Sequence, residues 1–382
     1  MSHNIPQSEN LFLLVGTNPL PNYVAAKLLL KPGGHIYLFH TDETATVADR
    51  LIAALQAEKG RVTKIEVKEA QGEEIFNKIA EHVKGKQDVG LNYTGGTKTM
   101  AVHAYRAVEE YCQGAVFSYL DARTLSMVVD QGDQPSRLFP VGLQVQPTVE
   151  TLLVLHGYTL KRPPATDVFG TEIAQTLARI NCKNFRSWCD DNLRNGPDTP
   201  IRKKGLDDLS LPNFIDWQGA RFLKDLATQW NREVIEVAKW LDGKWLEHYT
   251  LWSLQQIAKD CQIHETAMSI TPKERNFEFD VVAMRGYQLF AISCTTETKR
   301  SLTKQKLFEV FVRARQMGGD EARIGLVCCA PKAEDNPDSN PTAIQKEIEE
   351  SWDAAGKVRV FGAEHLPNLP DHLRDWFNSQ PS

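Results

Sequence analysis

From Val89 to Met100 the chain reads Val89-Gly90-Leu91-Asn92-Tyr93-Thr94-Gly95-Gly96-Thr97-Lys98-Thr99-Met100. A short apolar run of strand length, Val89–Tyr93, meets two glycines set among threonines. Apolar residues at helical spacing then continue from Thr97 to Tyr111. A strand that enters a helix through Gly-Gly is a βα unit, and the flanks repeat the theme. Leu11–Val15, His35–His40 and Val62–Val67 read as strands. Tyr23–Leu30, Thr44–Gln56 and Glu73–Val83 read as helices, the last with Ile75, Ile79 and Val83 on one face. This rhythm with short loops predicts a parallel sheet covered on both faces. Val116–Leu120 and Leu125–Val129 follow as further strands, in hairpin arrangement.

In open parallel sheets the ligand crevice lies beyond the carboxyl ends of the strands, where strand order reverses. Two loops qualify: Gly16-Thr17-Asn18-Pro19 after the first strand, and Asn92 to Lys98 after the fourth. Gly95-Gly96 permits a tight backbone path, and N–H groups at the start of the following helix suit an anion. Thr94, Thr97 and Thr99 add hydroxyls and Lys98 adds a point charge, a set suited to phosphate. The plainer reading is a turn with threonine helix caps. The string matches neither the P-loop nor the dinucleotide fingerprint.

After Pro147 the style changes. Residues 146–240 read as a mostly helical connector, with Val149–His156 the first helix, and a winged helix is one form it could take. The basic run Arg202-Lys203-Lys204 reads first as a solvated loop. From Gly243 a second α/β pattern begins. Trp245–Ala258 is a helix, and Phe277–Met284 and Gln288–Cys294 are hairpin strands across Arg285-Gly286-Tyr287. Lys304–Arg315 is a helix and Ile324–Cys329 a strand. Ala343–Trp352, Val358–Phe361 and Leu369–Phe377 complete the chain as helix, strand and helix.

Length and composition agree with this plan. At 382 residues the chain exceeds one ordinary core, and 42% hydrophobic with 24% charged residues describes a globular protein. The net charge of −5 excludes passive coating of duplex nucleic acid. No apolar run approaches the ~20 residues of a membrane span, and Met1–Asn10 lacks a secretory pattern. Seven scattered cysteines and ten unclustered histidines give no zinc set, which points to reduced thiols and a cytoplasmic setting without membrane partners.

In the last domain Glu247 stands on a helix, and Glu278-Phe279-Asp280 stands in a strand, where period two puts both carboxylates on one face. Across the hairpin comes Ser293-Cys294-Thr295. Cys294 shares its side with Phe290 and Ile292, a core position. Trp240, Trp245 and Trp252 read as core or interface residues before stacking platforms.

Two resemblances follow. The GTNP and NYTGGTK loops make residues 10–145 resemble the CARF domain of CRISPR-associated proteins. That implies a Rossmann-like homodimer binding a cyclic oligoadenylate across its two-fold axis, with Gly16, Thr17, Asn18, Pro19, Asn92, Thr94, Gly95, Gly96, Thr97 and Lys98 lining the site. The order Gly243-Lys244-Trp245-Leu246-Glu247, Asn276…Asp280-Val281 and Lys306-Leu307…Gly318-Gly319 is similar to the CARF-fused PD-(D/E)xK nucleases activated by cyclic tetraadenylate in type III CRISPR defence.

The whole then reads as an α/β chain: a CARF-type domain in 1–145, the connector in 146–240, and a restriction-endonuclease-like domain in 241–382. The resemblance implies metal-dependent cleavage of single-stranded DNA or RNA with Mn²⁺ or Mg²⁺. Where that family carries Glu-x-Lys this chain has Ser293 and Thr295, so a carboxylate and an ammonium are missing from register. Glu247, Glu278, Asp280 and the Cys294 carbonyl are the candidate metal ligands. Lys304 and Lys306 are the candidate relocated cations beside Glu247, Asp280, Ser293 and Thr295, with Lys299 and the displaced Glu297-Thr298-Lys299 as further options. Two other readings stay open: a regulator whose effector half is silent, and an enzyme that degrades the cyclic nucleotide at Thr97 and Lys98.

Overall fold

The computed structural model describes residues 4–56, 61–196, 199–297, 299–332, 334–336 and 338–381. Thr298 lies outside them. The first sheet contains β1 (Ser8–Leu14), β2 (Leu30–His40), β3 (Arg61–Glu66), β4 (Val89–Asn92), β5 (Val116–Asp121), β6 (Ser126–Gln131) and β7 (Arg137–Pro140). Their spatial order is β3-β2-β1-β4-β5-β6-β7, with β1 to β5 parallel and the last two antiparallel. Period-two alternation sorts β1 between two layers. Leu11 and Leu13 pack toward α1 (Leu20–Leu29) and α2 (Ala45–Gln56), whereas Phe12 and Leu14 pack toward α3 (Gly72–Val83) and α4 (Lys98–Tyr111). The chain reverses its direction of spread between β1 and β4, so their two following loops share one crevice.

Residues 146–240 carry α5 (Val149–Leu155), α6 (Thr171–Leu177), α7 (Cys182–Asn192), α8 (Leu223–Trp230) and α9 (Val234–Lys239). Its described residues form isolated bridges but no strand. A π-helical turn over Trp240–Lys244, broken at Gly243, then joins α9 to α10 (Trp245–Ile257). Trp240 and Trp245 are buried there, and Trp252 stacks on Tyr249.

The second sheet has the order β12-β11-β10-β9-β8. Its strands are β8 (Glu265–Ile270), β9 (Phe279–Arg285), β10 (Gln288–Thr295), β11 (Arg323–Cys328) and β12 (Val358–Phe361). Strands β8 to β10 are antiparallel neighbours, and β11 and β12 add in parallel. One face is covered by α11 (Arg300–Gly318) and α12 (Pro341–Trp352), the other by α10, α13 (Leu369–Asn378) and the connector helices. Neither β7 nor β8 was expected from the sequence, and α11 is longer at both ends than Lys304–Arg315. Glu265-Thr266 and the charged edge of β7 mask strand alternation, because edge strands carry polar side chains.

The halves are packed together. A single apolar cluster runs from Leu11 and Val149 through Met284 and Leu289 to Ile324. The turn between β9 and β10 inserts Gly286, at φ +55, against Gly142, leaving no room for a Cβ. The Tyr287 amide donates to the Gly142 carbonyl at 3.3 Å.

Candidate functional site

The two glycine loops touch backbone to backbone. A Cβ on Gly16 would lie 3.1 Å from the Gly96 nitrogen, and one on Gly95 would collide with the Leu14 carbonyl. Gly96 has φ +74, the left-handed region that favours glycine. Asn92 is buried and donates to Ser118 Oγ at 3.0 Å, while its Oδ1 accepts from the Thr94 amide at 3.3 Å. Thr94 Oγ1 accepts from the Leu120 amide at 2.7 Å, which ties the loop to β5. Thr97 caps α4 by accepting from the Met100 amide at 3.2 Å. Asn18 Oδ1 accepts from the Leu20 amide at 3.1 Å, and Pro19 is buried beside it.

What remains for a ligand is Gly16, exposed Thr17, the Gly95–Gly96 backbone and exposed Lys98. So the threonine caps and the anion-ready loop are both present: Thr94 and Thr97 are spent on architecture, and the backbone and Lys98 face outward. Sequence reasoning passed over Asn22. This buried amide donates to the Leu14 carbonyl at 3.0 Å, leaving its own Oδ1 without a partner. A lone Asn on the apolar face of a helix was the available signal. Tyr93 stacks on Tyr119 at 5.9 Å beside the same loop.

The second constellation is a cleft of about 400 Å³ whose lining includes Lys244, Glu247, Glu278, Asp280, Ser293 and Lys306. Glu278 stands just ahead of β9 rather than within it, yet opens onto the same cleft as Asp280. Asp280 Oδ2 accepts from Ser293 Oγ at 2.8 Å and from the Cys294 amide at 2.8 Å. Ser293, in the place of a carboxylate, therefore orients Asp280 as a donor. Burial raises the Asp280 carboxyl above its ordinary value, opposed by those two hydrogen bonds and by Lys306. Burial likewise pushes Glu247 up to about 7, against the pull of Lys244. The Lys244 ammonium lies 3.0 Å from Glu247 and 3.6 Å from Glu278.

Other expected groups are placed elsewhere. Lys304 is ion-paired with Glu347, as is Arg300 at 2.5 Å, and does not line the cleft. Thr295 is buried and accepts from the Glu297 amide at 3.2 Å. Glu297 lies 4.0 Å from Arg186 of the connector, and Lys299 stands at the residue before α11, neither of them lining the cleft, so these two do not act as a pair there. Cys294 supplies its amide to Asp280, and its Sγ lies 3.5 Å from Thr250 Oγ1, so it is a core residue whose thiol is held protonated by burial. Lys244 is the group that assigning roles from sequence overlooked. Its signal was the i, i+3 spacing from Glu247 at a helix start.

Oxygen donors suit a hard divalent cation, and the Lys244 ammonium between two carboxylates shows that this cleft favours positive charge. Among the described residues, no group of three or more His, Cys, Asp or Glu stands close enough to hold an ion in this arrangement.

Comparison with known proteins finds a match for each half of the chain. Residues 11–139 match the family model of the Card1 CARF domain, and residues 235–380 match the Card1-like endonuclease domain. The chain is a CARF–endonuclease fusion. No curated protein matches it significantly in sequence. Among solved structures, Can2 from Sulfobacillus thermosulfidooxidans, in complex with cyclic tetra-adenylate, superposes with a TM-score of 0.70 at 17% identity, covering 97% of this chain and 98% of Can2. Protein VC1899 from Vibrio cholerae gives the same TM-score, identity and coverage. A type III CRISPR defence DNA nuclease activated by cyclic oligoadenylate gives 0.53 at 19% identity, over 85% of this chain and 46% of that one. The CARF-fused architecture expected from the loops is thus the one found. Among the described residues no helix is long and apolar enough to cross a membrane.

Proposed function

We propose that the chain is a type III CRISPR ancillary nuclease, switched on by a cyclic oligoadenylate and cutting single-stranded DNA or RNA in the cytoplasm. The observation that carries the reading is the meeting of Glu247, Glu278 and Asp280 with Lys244 and Lys306 in one cleft. The ligand is best taken as cyclic tetraadenylate, the molecule bound to Can2. It would sit on the Gly16–Pro19 and Thr94–Lys98 loops of two protomers, which makes the working unit a homodimer. We take 1–145 as the sensor, 146–240 as the connector and 241–382 as the effector.

Glu247, Glu278 and Asp280 are the residues that would hold Mn²⁺ or Mg²⁺ once they draw together in place of the Lys244 ammonium that now separates two of them. When bound, the ion would supply Lewis acidity and a more acidic water. Ser293 and the Cys294 amide hold Asp280 in one orientation. Lys306, on α11 and facing Asp280 across the cleft, takes the part of the missing ammonium and stabilises charge developing on the phosphodiester. Lys244 serves as the resting counter-ion and must release its carboxylates as a cation enters.

The test is cleavage of labelled single-stranded DNA and RNA with Mn²⁺, Mg²⁺ or chelator, with cyclic tetraadenylate present. Cutting that requires a metal supports the reading. Metal-independent cutting, or none from folded protein, overturns it. A second reading, a silent regulator, is favoured by one observation: Lys244 already neutralises two of the three carboxylates. Loss of the cyclic ligand itself without metal, abolished by Lys98→Ala, would instead indicate its degradation at the sensor loops.

A further inference from the structure

Next to the carboxylate cleft lies a second cavity of about 530 Å³, and Lys244 belongs to the lining of both. Its inner wall is aromatic. Phe169 meets the His248 ring at 4.4 Å and the Trp240 ring at 6.0 Å, and Trp230 packs behind at 4.8 Å from Trp240. Gly170, at φ +65, brings these rings together, since a Cβ there would lie 2.8 Å from Trp230 and 2.9 Å from Trp240. Trp240 and His248 are buried, and the Trp240 Nε1 and His248 Nδ1 atoms have no hydrogen-bond partner. Buried polar atoms of this kind are seldom left unpaired.

The rim carries more basic than acidic groups: Arg162, Arg232 and Lys239 are exposed around it alongside Asp167 and Glu236, and none of the three cations forms an ion pair with a described residue. The Arg232 guanidinium lies 5.0 Å over the Phe169 ring. An aromatic wall and a net cationic lip make a composition that holds an unpaired nucleotide: the base stacks and the rim meets its phosphate.

We propose that this cavity is a subsite for an unpaired nucleotide flanking the scissile phosphodiester, so that the connector selects single-stranded substrate. For the identity of its occupant the proposal rests on the nuclease reading above. The π-helical turn at Trp240–Lys244 gives the link its geometry, because it places the aromatic wall at one end and the cleft cation at the other. A duplex cannot offer a base to this wall without unpairing it.

The test uses full-length Asp280→Asn protein, with and without cyclic tetraadenylate. The probes are fluorescein-labelled single-stranded DNA, single-stranded RNA and duplex DNA, plus a single strand carrying 2-aminopurine. Arg162→Glu with Lys239→Glu, both surface changes, should weaken single-strand binding about 10-fold and flatten its salt dependence. Phe169→Leu should weaken it about 5-fold and remove 2-aminopurine quenching, with duplex binding unchanged. The DNA and RNA arms show which sugar is accepted.

Unchanged single-strand affinity in the double variant overturns the subsite, as does equal weakening of single strand and duplex. If the wild type cuts normally in that case, the nuclease reading survives alone. If the wild type never cuts but single-strand binding still depends on Arg162, Lys239 and Phe169, the subsite stands and the nuclease reading falls.

Discussion

Asn18, in the loop after β1, packs its side-chain amide directly against Gly319 at the end of α11. A Cβ on Gly319 would collide with the Asn18 amide and lie 2.6 Å from the Glu321 carboxylate. Gly319 sits at φ +63 and ψ −152, a conformation that essentially only glycine adopts. The same helix carries Lys306, Glu309 and Arg313 into the carboxylate cleft. One helix of 19 residues thus reaches from the loop after β1 to the carboxylate cleft.

Gly319→Ala should therefore separate ligand binding from its consequence. We expect cyclic tetraadenylate still to raise the melting temperature, while the ratio of cleavage rates with and without it falls at least 5-fold. Strain at this position costs on the order of 1–3 kcal/mol, so rates are compared at a temperature where circular dichroism shows both proteins folded. An unchanged ratio would show that the signal takes another route.

At the sensor loops, Gly95→Ala drives a methyl group toward the Leu14 carbonyl and to 3.0 Å from the Gly16 nitrogen. Neither backbone atom can yield cheaply, so we expect a loss of roughly 1–3 kcal/mol in stability. The thermal shift given by cyclic tetraadenylate should disappear. Retention of a full shift in differential scanning fluorimetry would remove this loop from the ligand site.

The cleft lysines should differ in kind. Lys306→Ala should lower the cleavage rate by about 10²–10⁴-fold, the span of a lost catalytic cation or general acid–base group. Lys304→Ala should cost less than about 5-fold, because that ammonium is engaged by Glu347. Initial rates at saturating substrate decide this, and a larger loss for Lys304 would reverse the assignment.

Stability should carry a pH signature from Glu321, whose carboxyl is pushed from 4.5 up to about 7 by burial. Below pH 4.5 it is protonated in both folded and unfolded chains and has no net effect. Between 4.5 and 7 the folded state holds a proton that the unfolded state has lost, so stability falls as pH rises. Above 7 the folded state must ionise a buried group, at a cost on the order of 3 kcal/mol for that shift. Glu321→Gln should therefore be more stable than wild type at pH 8 and similar at pH 4. Denaturant titration at both values measures the difference, and a parallel loss at both would contradict it.

Much of this was legible in the chain, for identifiable reasons. Short continuous apolar runs such as Leu11–Val15 and the 3.6 spacing of Ile75, Ile79 and Val83 state their elements directly, and Gly95-Gly96 marked the crevice loop. The cleft was half legible. Glu247 and Asp280 carried the right residue types in the right order, and Lys306 followed from the need for a cation near the next helix.

Lys304 could not be separated from Lys306 in sequence, because its removal from the cleft depends on Glu347, 43 positions away. Lys244 was overlooked because its i, i+3 spacing from Glu247 is common on helix surfaces, and the π-helical turn that brings it to Glu278 as well is a feature of the folded chain. The Asn18–Gly319 contact is long-range and involves one glycine among 24, so only the packed structure identifies it.

The most direct measurement compares cleavage of single-stranded DNA and RNA by wild type and Asp280→Ala in Mn²⁺, each with and without cyclic tetraadenylate. The account predicts cutting by the wild type that increases strongly with the ligand and is absent in Asp280→Ala. Equal cutting with and without ligand, or cutting that persists in Asp280→Ala, would contradict it.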